Sequence, residues 1–263
     1  EKAKSLIDDD GALVLDTRGE SDWKASHVPG SQPISWRAFS RSGQVHGGKL
    51  LASDSVIESR LRKLGVSNET PVLVAGNPPD NWGEDGRIVW MLRTLGHNRA
   101  SLVDGGIAAL GEVGVSMTTE KTAVSSGDFE VSRHKAWVAD RDSVKSSLGS
   151  EDIQLLDTRE DREYRGKTPY GEKRGGHVPG AAHLHYTELM DSSGKLLPRS
   201  ELLAVLRKAG IVPEKRVITY CTGGVRSAWL AVVLVDLGFD NVQNYAGSMW
   251  EWSAASADDF PLE

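Results

Sequence analysis

The residue of this chain best suited to covalent chemistry is Cys221, its only cysteine. Residues 216–220 before it are mostly β-branched or aromatic and predict a buried strand. Residues 228–235 after it are apolar and indicate a buried helix. Cys221 is therefore predicted to lie where a strand turns through Gly223 and Gly224 into the N-terminus of a helix.

A thiol in that position is expected to be reactive. Backbone N–H groups of the turn and the positive end of the helix dipole converge on the sulfur. Together they lower the thiol pKa below the free value of about 8.5. The alternative interpretation is that a single cysteine is a small buried hydrophobic residue. The Gly-Gly turn and the nearby Arg226 favour the reactive thiolate.

The whole composition limits the classes of function. The 263 residues are 39% hydrophobic and 26% charged, as expected of a soluble globular protein with one large or two ordinary domains. A formal net charge of −6 gives no overall basic field, so we expect no nucleic-acid partner. No apolar run reaches the length of a membrane span and no signal peptide is evident, so we expect no membrane partner. One cysteine excludes an internal disulfide but leaves cytoplasm and periplasm both open.

Five segments of the first half recur in the same order and at a nearly constant offset in the second half. The clearest are the tetrapeptides Leu-Asp-Thr-Arg and His-Val-Pro-Gly. The matched segments are 15–18 with 156–159, 27–30 with 177–180, 71–76 with 216–221, 95–97 with 237–239, and 102–106 with 243–247. Because the period is that of a whole domain, the chain is predicted to be a pair of like domains rather than a solenoid.

Each half alternates strands with helices, which predicts an α/β fold. We expect two tandem domains, each a parallel sheet flanked by helices on both faces. One helix of each half is predicted to begin at a capping serine, over 53–64 and over 200–209. Ligands of such sheets bind at loops beyond the carboxyl ends of the strands, and Cys221 lies at such a position.

The two domains are predicted to be joined by an extended linker. Residues 118–127 are polar, rich in Ser and Thr, and without apolar periodicity. The domain boundaries are therefore placed at 1–117 for the first domain and 128–263 for the second.

The halves differ in two ways that bear on chemistry. Gly76 stands where the second half has Cys221, so the first domain is expected to be inactive and the second catalytic. The second half also carries an insertion, residues 165–176, which is rich in glycine and cations. The insertion is either a grip for an anionic substrate or an ordinary solvated surface. The tetrapeptides common to both halves are expected to be structural, with Asp16 and Asp157 accepting from backbone donors.

The ordered, duplicated motifs resemble the rhodanese superfamily of sulfurtransferases in its tandem form. The resemblance covers nearly the whole chain and rests on Leu-Asp-Thr-Arg, His-Val-Pro-Gly, the cysteine loop, Leu-Gly-Phe and Tyr-Ala-Gly in this order. It implies that Cys221 takes a sulfur atom from a small anionic donor and holds it as a persulfide. An acceptor such as cyanide or a thiol, including a thiol protein, then removes the sulfur, without metal or cofactor.

The resemblance also assigns roles around the cysteine. Arg226 is expected to supply a fixed cation for the reaction, and residues 222–227 a cradle of backbone N–H groups for the donor. The donor contacts of that cradle are predicted at Thr222, Gly223, Gly224, Val225 and Ser227. Related cell-cycle phosphatases have five residues between the cysteine and the arginine, whereas this chain has the shorter loop of the sulfurtransferases.

The choice of donor rests on weaker resemblances. The neutral residues after Cys221 are partly similar to relatives that prefer 3-mercaptopyruvate, but Arg226 stands where those have threonine, and we favour thiosulfate. Relatives carry donor-binding arginines around a Gly-Thr-x-Pro stretch, which implies secondary contacts for Arg165 and Arg174. The first of these arginines, in direct alignment, would fall on Glu163. A second hypothesis, from another class, is a sulfur carrier or redox-sensing module that binds a protein partner.

Overall fold

The computed structural model describes all residues, 1–263, as two compact units. The first unit comprises Glu1–Phe39, Leu51–His134 and Ser192–Lys195. The second unit comprises Ser40–Leu50, Lys135–Asp191 and Leu196–Glu263. Both are α/β units with wholly parallel sheets, which confirms the predicted fold class.

The first unit is built on a four-stranded sheet in the order β2-β1-β3-β4. Its strands and helices are α1 (Lys2–Asp8), β1 (Leu13–Asp16), α2 (Glu20–Ala25), β2 (Gln32–Pro33), α3 (Asp54–Lys63), β3 (Val72–Ala75), α4 (Glu84–Thr94), β4 (Ala100–Leu102) and α5 (Gly106–Glu112). The central strand β3 is buried along its whole length, as a strand covered on both faces must be.

The second unit has a five-stranded sheet in the order β5-β9-β8-β6-β7. Its strands and helices are β5 (Val138–Ala139), α6 (Arg141–Ser146), β6 (Ile153–Asp157), α7 (Asp161–Tyr164), β7 (Ala182–His183), α8 (Arg199–Lys208), β8 (Arg216–Tyr220), α9 (Arg226–Asp236), β9 (Val242–Tyr245) and α10 (Ser248–Trp252). None of the helices is long and apolar enough to cross a membrane.

The predicted strand and helix around Cys221 are confirmed as β8 and α9, the helix beginning at Arg226. The serine caps are confirmed in one half only. Ser53 caps α3 by accepting from the Val56 N–H at 3.4 Å. The corresponding prediction for Ser200 is wrong, because α8 already begins at Arg199 with Pro198 as its N-cap. The N–H groups of Glu201 and Leu202 donate to the Pro198 carbonyl.

The compact units do not follow the predicted boundaries at 117 and 128. The chain has no helix or strand over 119–134, but its last part packs on the first unit. Phe129 is fully buried there and its N–H donates to the carbonyl of Val66 at 3.2 Å. The extended stretch is thus a border of the first unit, because one large apolar side chain and its backbone hydrogen bonds fix it in place.

Candidate functional site

Cys221 lies directly after β8, at the carboxyl edge of the five-stranded sheet. Residues 221–225, called the cysteine loop below, lead from β8 into α9. The thiol is fully buried, and so are most residues of the helix that follows. The sulfur is therefore held in a fixed, dry setting where nearby dipoles and charges act strongly on it.

Residues of β9 and α10 hold the backbone of the cysteine loop. The Cys221 N–H donates to Ser248 Oγ at 3.1 Å, and the Cys221 carbonyl accepts from the Met249 N–H at 3.1 Å. The Thr222 carbonyl accepts from the Trp250 N–H at 2.9 Å, and Asn244 Nδ2 donates to the Gly224 carbonyl at 3.2 Å. These contacts with residues of β9 and α10 fix the curvature of the loop.

The geometry favours the thiolate form of Cys221. The Gly224 N–H donates to Sγ at 3.1 Å. Burial raises the thiol pKa, but the charge of Arg226 and hydrogen bonds from Ser227 and Gly223 outweigh burial, so the net pKa lies below its ordinary value. A thiolate, and a persulfide anion after it, are the states that such a set of donors stabilises.

Both glycines of the cysteine loop are required by close contacts. A Cβ on Gly223 would lie 2.3 Å from the ring of Trp250. Gly224 has φ of +73°, and a Cβ there would lie 2.6 Å from the backbone of Ala246. The loop can be this tight only without side chains at the two positions.

We expect Gly224→Ala to destabilise the protein by about 3 kcal/mol. The loss is the sum of left-handed backbone strain and a steric overlap of the new Cβ with the backbone of Ala246. Gly180→Ala is the matched control, because Gly180 has φ of +72° with nothing within 4 Å of its Cβ position. The control should lose about 1 kcal/mol, from strain alone. Urea unfolding measures both, and equal losses would show that the contact with Ala246 is unimportant.

Arg226 forms a buried ion pair at the start of α9. It donates to the two carboxylate oxygens of Glu163 at 2.6 and 2.9 Å and to the Thr222 hydroxyl at 2.7 Å. The two charged side chains are 2% and 0% exposed. The role of Arg226 as a fixed cation for the donor stays a prediction, and the structure adds that an internal carboxylate pairs with it.

The insertion reaches the cysteine loop through groups other than its cations. Glu172 is buried, and its Oε1 lies 3.4 Å from the Thr222 hydroxyl. The Tyr170 carbonyl accepts from Trp250 Nε1 at 3.0 Å and from Gln44 Nε2 at 2.8 Å. The insertion thus supports the Trp250 ring that covers Gly223 and adds a second carboxylate beside Thr222.

The contacts of the two insertion arginines do not support the predicted donor-binding role. Arg165 is 75% exposed and pairs with Asp161 on the surface of α7. Arg174 donates to the carbonyls of Trp252, Ser253 and Phe260 at 2.8–3.1 Å. Arg174 therefore holds the segment after α10 through three of its backbone carbonyls.

The residues Ser40–Leu50, called the arm below, belong to the second unit although they come from the first repeat. A Cβ on Gly48 would lie 2.5 Å from the Gly223 carbonyl and 1.9 Å from that of Ala246. Lys49 forms an ion pair with Glu251. The arm therefore packs directly against the cysteine loop, a contact that comparison of the repeats does not predict.

In both units the aspartate and the arginine of the repeated Asp-Thr-Arg motif contact each other. The Asp16 carboxylate accepts from the backbone N–H of Arg18 at 3.0 Å and pairs with its guanidinium. Asp157 does the same with Arg159, with an N–H···O distance of 3.0 Å and a fully buried ion pair. The predicted acceptance from backbone donors is therefore seen in the structure, and the arginine explains why the three residues recur together.

The loop of the first unit has no room for a thiol. A Cβ on Gly76 would lie 1.9 Å from Asn81 Nδ2, 2.8 Å from Thr17 Oγ1 and 2.9 Å from Asp85 Oδ2. Burial raises the pKa of Asp85 to about 6. This position is filled by polar side chains and supports the expectation that the first domain has no nucleophile here.

Sequence reasoning missed four residues that shape the site: Glu163, Glu172, Asn244 and Ser248. Asn244 is fully buried, and its Oδ1 accepts from the Ser227 hydroxyl at 2.7 Å. In the repeat alignment Asn244 corresponds to Val103, so the polar-for-apolar difference that singled out Cys221 against Gly76 was a usable signal here as well. At the same offset Ser248 corresponds to Ile107, which is the same kind of difference. Glu163 was named only as the position where relatives carry an arginine, and no signal marks Glu172.

Comparison with known proteins is consistent with this architecture. The model of the Rhodanese-like domain matches residues 1–112 and 140–255. The chain is 30% identical over 251 residues to a thiosulfate sulfurtransferase of Azotobacter vinelandii, covering 95% of this chain and 90% of the relative. It is 29% identical to the sulfur carrier protein TtuD of Thermus thermophilus, covering 95% and 88%. It is 27% identical to a 3-mercaptopyruvate sulfurtransferase of Escherichia coli, covering 98% and 94%.

Among solved structures, an anaerobic ergothioneine biosynthesis enzyme from Chlorobium limicola superposes with a TM-score of 0.82 at 22% identity. The match covers 96% of this chain and 64% of the enzyme's chain. At this identity it shows a common fold and nothing about activity. The two family matches, the two parallel sheets and the buried cysteine loop together show that the chain belongs to the rhodanese superfamily of sulfurtransferases, as a member with two tandem rhodanese-like domains.

Proposed function

We propose that the chain moves sulfane sulfur from thiosulfate to a thiophilic acceptor, cyanide or a thiol, through a persulfide on Cys221. The observation that carries the proposal is the Gly224 N–H at 3.1 Å from Sγ, in a loop that lowers the thiol pKa. The 30% identity to thiosulfate sulfurtransferase over nearly the whole of both chains supports thiosulfate as the donor.

In the first step the Cys221 thiolate attacks the outer sulfur of thiosulfate. A bond forms between Sγ and that sulfur, and sulfite leaves with the electron pair of the broken S–S bond. The products are a persulfide anion on Cys221 and a sulfite dianion, so charge is conserved. This is covalent catalysis, for which ping-pong kinetics are expected.

In the second step the acceptor attacks the terminal sulfur of the persulfide. Cyanide becomes thiocyanate, or a thiolate becomes a persulfide, and the Cys221 thiolate returns. In this proposal the N–H groups of 222–227 receive the negative charge in both states, and Arg226, whose charge is largely balanced by Glu163, adds a weaker attraction. Thr222, Gly223, Gly224, Val225 and Ser227 form the wall of this cradle.

Two alternatives rest on specific relatives. The Escherichia coli relative favours 3-mercaptopyruvate as the donor. The relative named as a sulfur carrier protein favours delivery of the sulfur to a protein partner. In both cases Cys221 would hold the sulfur, so the alternatives differ in donor and acceptor and not in the nucleophile.

Intact mass measurement after incubation with thiosulfate tests the proposal. We expect a gain of one sulfur atom, lost again on addition of cyanide with release of thiocyanate. Loading by 3-mercaptopyruvate but not by thiosulfate would favour the first alternative. A loaded protein that gives up its sulfur to a thiol protein but not to small acceptors would favour the second. An unmodified mass with every donor would contradict the persulfide mechanism.

A further inference from the structure

Three ionisable side chains meet at the hydroxyl of Thr222, next to the nucleophile. Arg226 donates to this hydroxyl at 2.7 Å, and the hydroxyl donates to Glu163 Oε1 at 2.5 Å. Glu172 Oε1 lies 3.4 Å away on another side. Two carboxyl groups and one guanidinium thus surround this hydroxyl, beside the Cys221 thiol.

The pairing of Glu163 with Arg226 is tight enough to offset most of the positive charge. Both guanidinium N–H contacts to the carboxylate are 2.9 Å or shorter, and both side chains are out of solvent. Burial raises the pKa of Glu163, but the hydrogen bonds and charge of Arg226 and the Thr222 hydroxyl outweigh burial and hold the net pKa below its ordinary value. Glu163 is therefore ionised whenever the enzyme works near neutral pH.

Other groups of the second unit near the loop do not restore a positive balance. His185 lies in the field of Arg226, and burial together with that charge lowers its pKa, so its imidazole is neutral at pH 7. Lys49 of the arm is paired with Glu251. Arg226 and Lys49 are thus each paired with a carboxylate, so a donor anion approaches a site whose positive charges are already balanced.

We propose that Glu163 sets the charge preference for the sulfur donor: by neutralising Arg226 it reduces the advantage that a dianionic donor would have over a monoanionic one. The inference rests on the proposed sulfurtransferase function and adds to it the determinant of donor class.

The test compares two donors that deliver the same sulfane sulfur but differ by one charge. Thiosulfate is a dianion and methanethiosulfonate a monoanion; attack by Cys221 releases sulfite from one and methanesulfinate from the other. With cyanide as the common acceptor, the ratio of kcat/KM for thiosulfate to that for methanethiosulfonate reports charge preference. A change in the thiolate fraction of Cys221 affects both donors and cancels in the ratio.

Glu163→Gln should raise this ratio about tenfold, because it leaves Arg226 with an uncompensated charge beside the incoming donor. Glu163→Asp keeps the charge and should leave the ratio within about twofold of the parent protein. Glu160→Gln is the matched control, since Glu160 belongs to the same turn but pairs with the exposed Arg162. An unchanged ratio in Glu163→Gln, or an equal rise in Glu160→Gln, would overturn the proposal.

A double variant decides the matter if Glu163→Gln does not fold. Glu163→Gln combined with Arg226→Gln removes both charges and leaves no unpaired ion buried. The ratio should then stay within about twofold of the parent value, because the two charges already cancel there. A fall of about tenfold would mean that Arg226 attracts the dianion in spite of Glu163, and would refute the inference. Failure of both donors to add sulfur to the parent protein would refute the proposed function instead.

Discussion

Replacing Cys221 with serine is expected to reduce sulfur transfer below about one per cent of the parent rate while leaving the protein folded. A serine hydroxyl does not ionise near neutral pH and cannot form the S–S bond of a persulfide. The fold should survive, because the serine Oγ can accept the Gly224 N–H that now donates to Sγ. Thiocyanate formation from thiosulfate and cyanide measures the rate, and urea unfolding measures the stability.

Cys221→Ala is the companion variant for this experiment. It removes the sulfur without introducing a hydroxyl, so an equal loss of activity in both variants would assign the loss to the missing thiolate. The mass of each variant after thiosulfate treatment should remain that of the untreated protein. Residual turnover above about one per cent in either folded variant would mean that sulfur can pass without a Cys221 persulfide.

The parts of the fold that the sequence predicts well are those encoded over short distances. The β-branched run before Cys221, the two glycines and the apolar run after them specify a strand, a tight turn and a helix within about twenty residues. The duplicated motifs extend this local evidence to the whole chain, because each copy supports the same interpretation of the other. Cys221 itself stands out for the same reason, since its counterpart is Gly76.

The parts that could not be predicted depend on contacts between distant segments. Glu163 on α7 reaches Arg226 on α9 only because β6 and β8 are neighbours in the sheet. Nothing in the two short sequences shows that the carboxylate and the guanidinium will meet. The resemblance to relatives implies an arginine at that position and predicts donor contacts at Arg165 and Arg174 instead.

The same limit applies to the arm and to the insertion. The basic character of 165–176 predicts an anion grip, yet Arg174 binds carbonyls that become visible only once the end of the chain is placed. The arm packs on the cysteine loop through Gly48, whose lack of a side chain has no meaning without its neighbours. Local sequence thus locates the nucleophile, whereas the charges around it are set by tertiary structure.

The ion pair between Arg226 and Glu163 leads to the second large effect. Arg226→Met should destabilise the protein by about 3–5 kcal/mol, because it leaves an unpaired carboxylate buried in the second unit. Arg165→Met is the matched control: its exposed pair with Asp161 should contribute less than about 1 kcal/mol. Adding Glu163→Gln to Arg226→Met should recover most of the loss, since the buried charge is then gone.

The pH dependence of the same variants separates an electrostatic loss from a loss of packing. In the parent protein the pKa of Glu163 lies below its ordinary value of 4.5, so its contribution to stability is full above that value and is lost as pH falls through the lowered pKa. In Arg226→Met burial acts without the guanidinium and raises the pKa of Glu163 above 4.5. The free energy of unfolding of that variant, relative to the control, should therefore increase as pH is lowered from 7 toward 5, because protonation removes the buried charge. A deficit that is the same at both pH values would assign the loss to the missing side-chain volume, and Arg226 would then be a packing residue whose charge has no influence on the site.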